Sequence, residues 1–385
     1  MNYDKRKRHV KIVCTLGPSS SSPQIIKKML KGGTDVVRLN LAYGTLEEHD
    51  QIISTVRQVS QKLKPPVGIL LDLPGLKCHE GDIGDIFNEH LEFAHSQNVD
   101  FIALSFITSP QQVKEVKALL KNMNAYIPVI VKIERAQALE RSNALLETSE
   151  GIMVARGDLA LEISIEKVPL AQKYLIKEAN RRGKLVITAT QMLESMVRST
   201  TPTRAEATDV ANAILDGSDA LMLSEETAVG NYPVEATETM ARIAWEAESA
   251  FPYDQILRER MQDILPEIND ATARAACQIA NQVKAKGIIA FTTGGTTALR
   301  LSKYRPQHLI VAVTPSEIVA RRLSLAYGVF PIVKPEPASL EEVFDLAREA
   351  ALETGIAGKG DLIVITAGLP LRVPGSTNLL KVHNV

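Results

Sequence analysis

The sequence predicts an α/β protein, a closed (β/α)8 barrel followed by a smaller doubly wound α/β domain, and three observations lead there. Eight short apolar runs rich in Val and Ile recur with helical stretches between them, the count that a closed parallel barrel requires. The chain has 385 residues, too many for one ordinary core, whereas a barrel uses about 250 in one. After a long helical stretch, Ser249-Ala250-Phe251-Pro252-Tyr253 interrupts the pattern and reads as a boundary, giving domains over 1–248 and 249–385.

The barrel strands are expected, in order, at Val10 to Leu16, Asp35 to Leu41, Val67 to Leu73, Val99 to Phe106, Pro128 to Glu134, Gly151 to Ala155, Leu185 to Thr190 and Ala220 to Ser224. Helix starts are signalled by capping-box spacing at Thr45 with Glu48, Ser109 with Gln112, and Thr203 with Glu206. Glu206 is therefore read as a local cap and not as a catalytic acid. A helix from Val234 to Glu248 closes the first domain. The second domain alternates helix Asp270 to Lys284, strand Gly287 to Thr292, helix Thr297 to Tyr304, strand Leu309 to Thr314, helix Glu317 to Tyr327 and strand Val329 to Val333. A helix opened by Ser339 with Glu342 and stopped at Gly355, strand Asp361 to Ala367 and an edge strand Thr377 to Val385 complete it. The crevice of such a sheet lies beyond the carboxyl ends of its strands, where Thr292, Thr293, Gly294, Gly295, Thr296 and Thr297 join a strand to a helix.

Bulk properties narrow the function. The net charge is -1 with both signs interspersed, so no basic stripe marks a nucleic-acid or acidic-membrane surface. The run Asp4 to His9 reads as a solvated terminus. Cys14, Cys78 and Cys277 lie far apart, without metal or disulfide spacing, which fits a reducing, cytoplasmic setting. No apolar run approaches the ~20 residues of a membrane span, and no signal peptide is expected.

Chemistry concentrates where strands end. Around Pro128 to Ala160 two apolar runs end in Lys132-Ile133-Glu134 and Arg156-Gly157-Asp158, placing a cation and two carboxylates at the tips of neighbouring strands. Carboxylates are hard oxygen ligands suited to Mg²⁺, and the lysine can face a phosphate or an enolate. Arg38, Asn40, Asp72, Ser105, Thr190, Ser224 and Glu225 end other strands. Polar groups gathered at one barrel mouth need partners, in each other or in a bound metal and anion.

These residues lie in longer motifs: Lys11 to Pro18 (KIVCTLGP), Val37 to Asn40, Val99 to Phe106, Lys132 to Glu134, Gly151 to Leu159, Thr188 to Met196 (TATQMLESM), Pro202 to Glu206, Tyr304-Arg305-Pro306 and Thr377-Asn378. Through them the chain resembles the pyruvate kinase family over almost its whole length. The resemblance implies a TIM-barrel phosphotransferase acting on phosphoenolpyruvate and ADP to give pyruvate and ATP. It assigns Glu134 and Asp158 to Mg²⁺ or Mn²⁺, and Arg38 and Lys132 to the transferring phosphoryl group. Gly157, Asp158 and the hydroxyl of Thr190 would form a carboxylate cradle, with Lys132, Arg38 and Thr190 as catalytic residues. It also implies a homotetramer, and a phosphorylated effector bound by the Thr292 to Thr297 loop, to which Arg372 could add a cation.

The departures fall on the nucleotide side. The family inserts a lid domain after the third barrel strand; here Asp72 is followed only by Leu73 to Gly81 before the next helix. The family's Asn-Phe-Ser-His-Gly reads Asn40-Leu41-Ala42-Tyr43-Gly44, removing a hydroxyl and an imidazole. Its Asp-Thr-Lys-Gly-Pro-Glu-Ile-Arg reads Asp72 to His79, with Lys77 for a carboxylate beside the monovalent-cation region of Asn40 and Asp72, and His79 for an arginine. An internal ammonium at Lys77 makes K⁺ unnecessary. Ser-Gly-Glu-Thr-Ala reads Ser224-Glu225-Glu226-Thr227-Ala228, adding a carboxylate near where a diphosphate would lie. The expected enzyme is thus a pyruvate kinase of low turnover. The alternatives are a metal-dependent 2-oxoacid lyase or tautomerase, such as an oxaloacetate decarboxylase, and a non-catalytic binding protein.

Overall fold

The computed structural model describes residues 8–61, 66–75, 85–261, 266–371, 373 and 375–385. Lys77, Cys78, His79 and Arg372 lie outside the described residues. The chain divides into one unit, Val10–Glu248, and a second made of Ser249–Val385 with the N-terminal segment through His9.

In the first unit eight parallel strands close a barrel: β1 Lys11–Thr15, β2 Val36–Asn40, β3 Gly68–Leu73, β4 Phe101–Leu104, β5 Val129–Ile133, β6 Gly151–Ala155, β7 Leu185–Ala189 and β8 Ala220–Leu223. Each expected strand is present, β6 with the expected bounds and the others trimmed at one or both ends. β1, β3, β6 and β7 are buried throughout, which is why their sequences run apolar without alternation. The β2–β3 register sets Asn40 opposite Asp72, so polar residues that end different strands share one mouth.

The opposite end is held by acids. Asp35, before β2, accepts the amide of Ile12 in β1 at 2.9 Å, and Asp100, before β4, accepts that of Ile69 in β3 at 2.8 Å. Glu150, before β6, accepts that of Val129 in β5, and Asp219, before β8, that of Val186 in β7, both at 2.9 Å. The carboxylate before each even strand thus binds the first turn of the odd strand preceding it. A buried amide without a partner is costly, so the four acids hold the barrel floor.

The three capping boxes expected at Thr45, Ser109 and Thr203 are all formed. Glu206 does more than cap: it also accepts the amide of Ser195 at 2.7 Å and its hydroxyl at 2.5 Å, tying the β7 loop to the helix Arg204–Leu215.

In the second unit β9 Gly287–Phe291, β10 Ile310–Thr314, β11 Val329–Val333, β12 Leu362–Gly368 and β13 Thr377–Asn384 form a sheet of order β11-β10-β9-β12-β13. The first four are parallel and the edge strand β13 is antiparallel. Its motifs are structural here. Buried Asp270 accepts from Lys303 at 3.1 Å and Tyr304 at 2.7 Å, Arg305 lies over the Tyr327 ring at 4.3 Å, and Asn378 brackets the backbone of Leu369. Two details differ from expectation. The helix Glu317–Leu323 stops four residues early, where Ser324 turns its hydroxyl back to the Arg321 carbonyl at 2.6 Å and competes with the helical ladder. A short helix Tyr253–Arg260 follows Pro252, in sequence that reads as a boundary. Cys14 and Cys277 are buried and form no disulfide. Among the described residues no helix is long and apolar enough to cross a membrane.

Candidate active site

The barrel mouth gathers charge from three strands. Arg38, the middle residue of β2, donates to Asp72 of β3 from Nε at 2.9 Å and from Nη2 at 2.6 Å, and from Nη1 to Thr15, the end of β1, at 2.9 Å. The other Asp72 oxygen accepts the Ser105 hydroxyl at 3.1 Å. Lys132 of β5 places Nζ 2.9 Å from that hydroxyl, 3.2 Å from Asp72 and 2.8 Å from Glu134. Glu134 accepts, through its second oxygen, the amide of Phe106 at 2.7 Å. Arg38, Asp72, Ser105, Lys132 and Glu134 therefore form one connected chain, with Asp72 only 1% exposed.

Burial governs the electrostatics. It would raise the Asp72 pKa, but the charges of Arg38 and Lys132 and their hydrogen bonds prevail and hold it below the usual carboxylate range. For Lys132 burial pulls down, and Asp72 and Glu134 outweigh it, so the ammonium is held above its ordinary value. Glu134 goes the other way: burial pushes its carboxyl up, and Lys132 offsets this only in part.

Asp158 stands apart. It lies on the short helix Arg156–Glu162, exposed, with no hydrogen bond or ion pair among the described residues. No group of three or more His, Cys, Asp or Glu side chains able to hold a metal is found among the described residues. Glu134 and Asp158 nevertheless fit a divalent cation of the Mg²⁺ type, which keeps waters and takes one or two carboxylates plus substrate oxygens. Among the described residues of this mouth the carboxylates Asp72, Glu134 and Asp158 outnumber the cations Arg38 and Lys132, and burial keeps the Glu134 carboxyl raised even with Lys132 beside it.

The expected cradle is folded onto itself. Gly157 donates its amide to the Thr190 hydroxyl at 2.8 Å, and that hydroxyl donates to the Ala189 carbonyl at 2.7 Å. Thr190 and Gln191 both have positive φ, 68° and 55°, costly for a β-branched threonine.

On the remaining rim, Asn40 accepts the Ala42 amide at 3.2 Å and Tyr43 projects 75% exposed. Glu225 is also exposed, while Glu226 is buried, accepting the amides of Leu193 at 3.0 Å and Ser224 at 2.7 Å. Glu226 is a member of the mouth that no motif singles out, since its partners are backbone amides, one in the distant β7 loop and one two residues before it.

In the second unit, Thr292, Thr293, Gly294, Thr296 and Thr297 line a cavity of about 340 Å³, with Lys334 on its wall. Gly295 takes the left-handed conformation (φ 89°) and donates to the Thr292 hydroxyl at 2.9 Å; Thr297 meets Thr377 at 2.6 Å. Lys334 is paired with Glu353 at 2.8 Å.

Comparison with known proteins agrees with this geometry. The family described as "Pyruvate kinase, barrel domain" matches residues 7–88 and 83–237, and "Pyruvate kinase, alpha/beta domain" matches 270–383. Curated relatives named "Pyruvate kinase" from Staphylococcus aureus strains USA300, NCTC 8325 / PS 47 and COL are each 37% identical over 471 residues, covering 98% of this chain and 80% of the relative. The alignment is longer than this chain, and the two barrel matches meet at 83–88, after β3, consistent with a missing lid.

Proposed function

Since the chain belongs to the pyruvate kinase family, we propose that it transfers the phosphoryl group of phosphoenolpyruvate to ADP at the barrel mouth, forming pyruvate and ATP. The observation that carries this reading is Lys132, held as a cation between Asp72, Ser105 and Glu134. A buried ammonium of raised pKa is a poor base and a strong electrostatic partner, so Lys132 stabilises charge on the transferring phosphoryl and on the enolate left behind. Arg38, fixed by Asp72 and Thr15, faces the phosphoryl oxygens. The Thr190 hydroxyl and the amides of Gly157 and Asp158 open from their mutual bonds to take the substrate carboxylate.

Glu134 and Asp158 would hold Mg²⁺ or Mn²⁺, which supplies Lewis-acid neutralisation of phosphoryl and enolate oxygens when bound. Asn40 and Asp72 belong to the monovalent-cation region, and because the sequence carries Lys77 where the family has a carboxylate, K⁺ is not required. Without a lid, water exclusion and nucleotide positioning suffer, so turnover is low and ADP binds weakly. The Thr292 to Thr297 loop takes a phosphorylated effector, the chain assembles as a homotetramer, and it works in the cytoplasm.

A coupled assay with purified protein, phosphoenolpyruvate, ADP and Mg²⁺ tests the reading beside an oxaloacetate decarboxylation assay. Pyruvate formation that Lys132→Met abolishes, equal in Na⁺ and K⁺, is expected. Decarboxylation alone would favour a lyase, and silence in both a binding protein.

A further inference from the structure

Deepening the proposed function, and resting on it, we propose that Arg156 is the positioning residue of the carboxylate cradle. Its guanidinium holds Thr190 and Gln191 in the left-handed backbone conformation that turns the threonine hydroxyl to the Gly157 amide.

Two consecutive residues with positive φ, one of them β-branched, persist only where their surroundings over-determine them. Here one side chain bonds the carbonyls of both residues. Arg156 Nη2 donates to the carbonyl of Thr190 at 2.8 Å and to that of Gln191 at 3.4 Å. Its Nη1 is anchored on Asp209 at 2.7 Å and on Gln172 at 3.3 Å. Those anchors sit on the helices Arg204–Leu215 and Val168–Arg181, and Gln172 is itself fixed by donating to Asp216 at 3.0 Å. The guanidinium side chain is 11% exposed.

The arrangement separates two faces of one turn. Arg156 grips the carbonyls behind it, while the hydroxyl in front accepts from Gly157, the residue next to Arg156 in the chain. The amide and hydroxyl stay paired until an anionic carboxylate exchanges with them. Because Arg156 grips the turn and not the ligand, it sets where the cradle lies. The planar fork reaches the carboxylate from one nitrogen and the two carbonyls from the other in a fixed geometry; a compact ammonium, although it has three donors, does not reproduce that span.

The test is steady-state kinetics on Arg156→Met and Arg156→Lys with each substrate varied in turn, in Mg²⁺. A cradle displaced by about 1 Å lowers kcat/KM for phosphoenolpyruvate ~100-fold, while KM for ADP is unchanged. Arg156→Lys shows the same split although it retains charge for Asp209, and serves as the comparison if Arg156→Met does not fold. In Arg156→Gly, millimolar guanidinium restores part of the lost rate and Na⁺ does not. Equal loss toward both substrates without rescue overturns the inference, reducing Arg156 to scaffold. Unchanged kinetics in both variants overturn it also, leaving the proposed function standing. A wild-type protein without phosphoenolpyruvate turnover overturns the function and the inference with it.

Discussion

Replacing Asp72 with Asn alters one atom and one charge, yet it removes the hub of the mouth. Asp72 accepts two bonds from Arg38, one from Ser105 and an ion pair from Lys132. An amide offers a single acceptor oxygen, so its NH₂ must face one of these donors. Arg38 and Lys132 are then left opposite Glu134 alone, two buried cations against one carboxylate. Breaking a buried, hydrogen-bonded pair this way costs about 3–5 kcal/mol, and for a unit of this size each kcal/mol lowers the midpoint by about 2–4 °C. The expected fall for Asp72→Asn is therefore on the order of 10 °C. Trp245 is the sole tryptophan and lies on the helix Pro233–Ser249, so its fluorescence follows unfolding of the barrel unit. Arg38→Met alone and combined with Asp72→Asn completes a double-mutant cycle, in which the combined loss should be less than the sum. A fluorescence midpoint within 1–2 °C of the parent, or strictly additive losses, would refute the coupling argued here.

Other expectations concern parts remote from this hub. Asp100→Ala orphans the Ile69 amide and removes the carboxylate 2.9 Å from Arg57, which keeps its bonds to the Val67 and Asn98 carbonyls; a loss of about 2–4 kcal/mol in urea unfolding followed by Trp245 is expected. At Glu206 burial acts to raise the pKa, but hydrogen bonds from Ser195 and Thr203 prevail and lower it. The folded pKa lies below the unfolded one, so this stabilisation is full above the unfolded value of about 4.3 and fades as pH falls through the folded value. Glu206→Gln should thus lose about 1–2 kcal/mol at pH 7 and match the parent in strongly acidic buffer, as thermal scans across pH can check. Gly151→Ala drives a Cβ to 2.6 Å from the Leu185 carbonyl and 2.9 Å from Ile130; about 1–3 kcal/mol of overpacking strain should appear in the same urea titration.

The barrel was legible because its strands are buried on both faces and so read as unbroken apolar runs, and each run stops at its polar end residue. Register supplied the pairings and was not legible. Nothing local to Lys132 says that it will lie 3.2 Å from Asp72, sixty residues earlier, and nothing near Asp158 says that it will be solvent-facing while Glu134 is buried. The cradle residues could be named, but not the bond by which Thr190 occupies the Gly157 amide. Arg156 was visible as a strand-end cation; its grip on two carbonyls of another loop depends on a left-handed turn that a threonine does not advertise. The helix Tyr253–Arg260 escaped notice because Pro252, which starts it, equally signals a break. The floor acids did leave a trace, a carboxylate just before each even strand, which is recognisable once the alternation is known.

That alternation bears on how a domain can be gained or lost here. Asp100 fastens β4 to β3 at the end of the barrel opposite the β3–β4 connection, with Arg57 bracing the joint from the side. Neighbouring staves stay riveted from below whatever the length of the span above, so evolution can splice material in or out at that crossing without recasting the hoop. An engineered graft of a folded cap between β3 and the helix Asp85–Ser96 should accordingly leave the cask watertight.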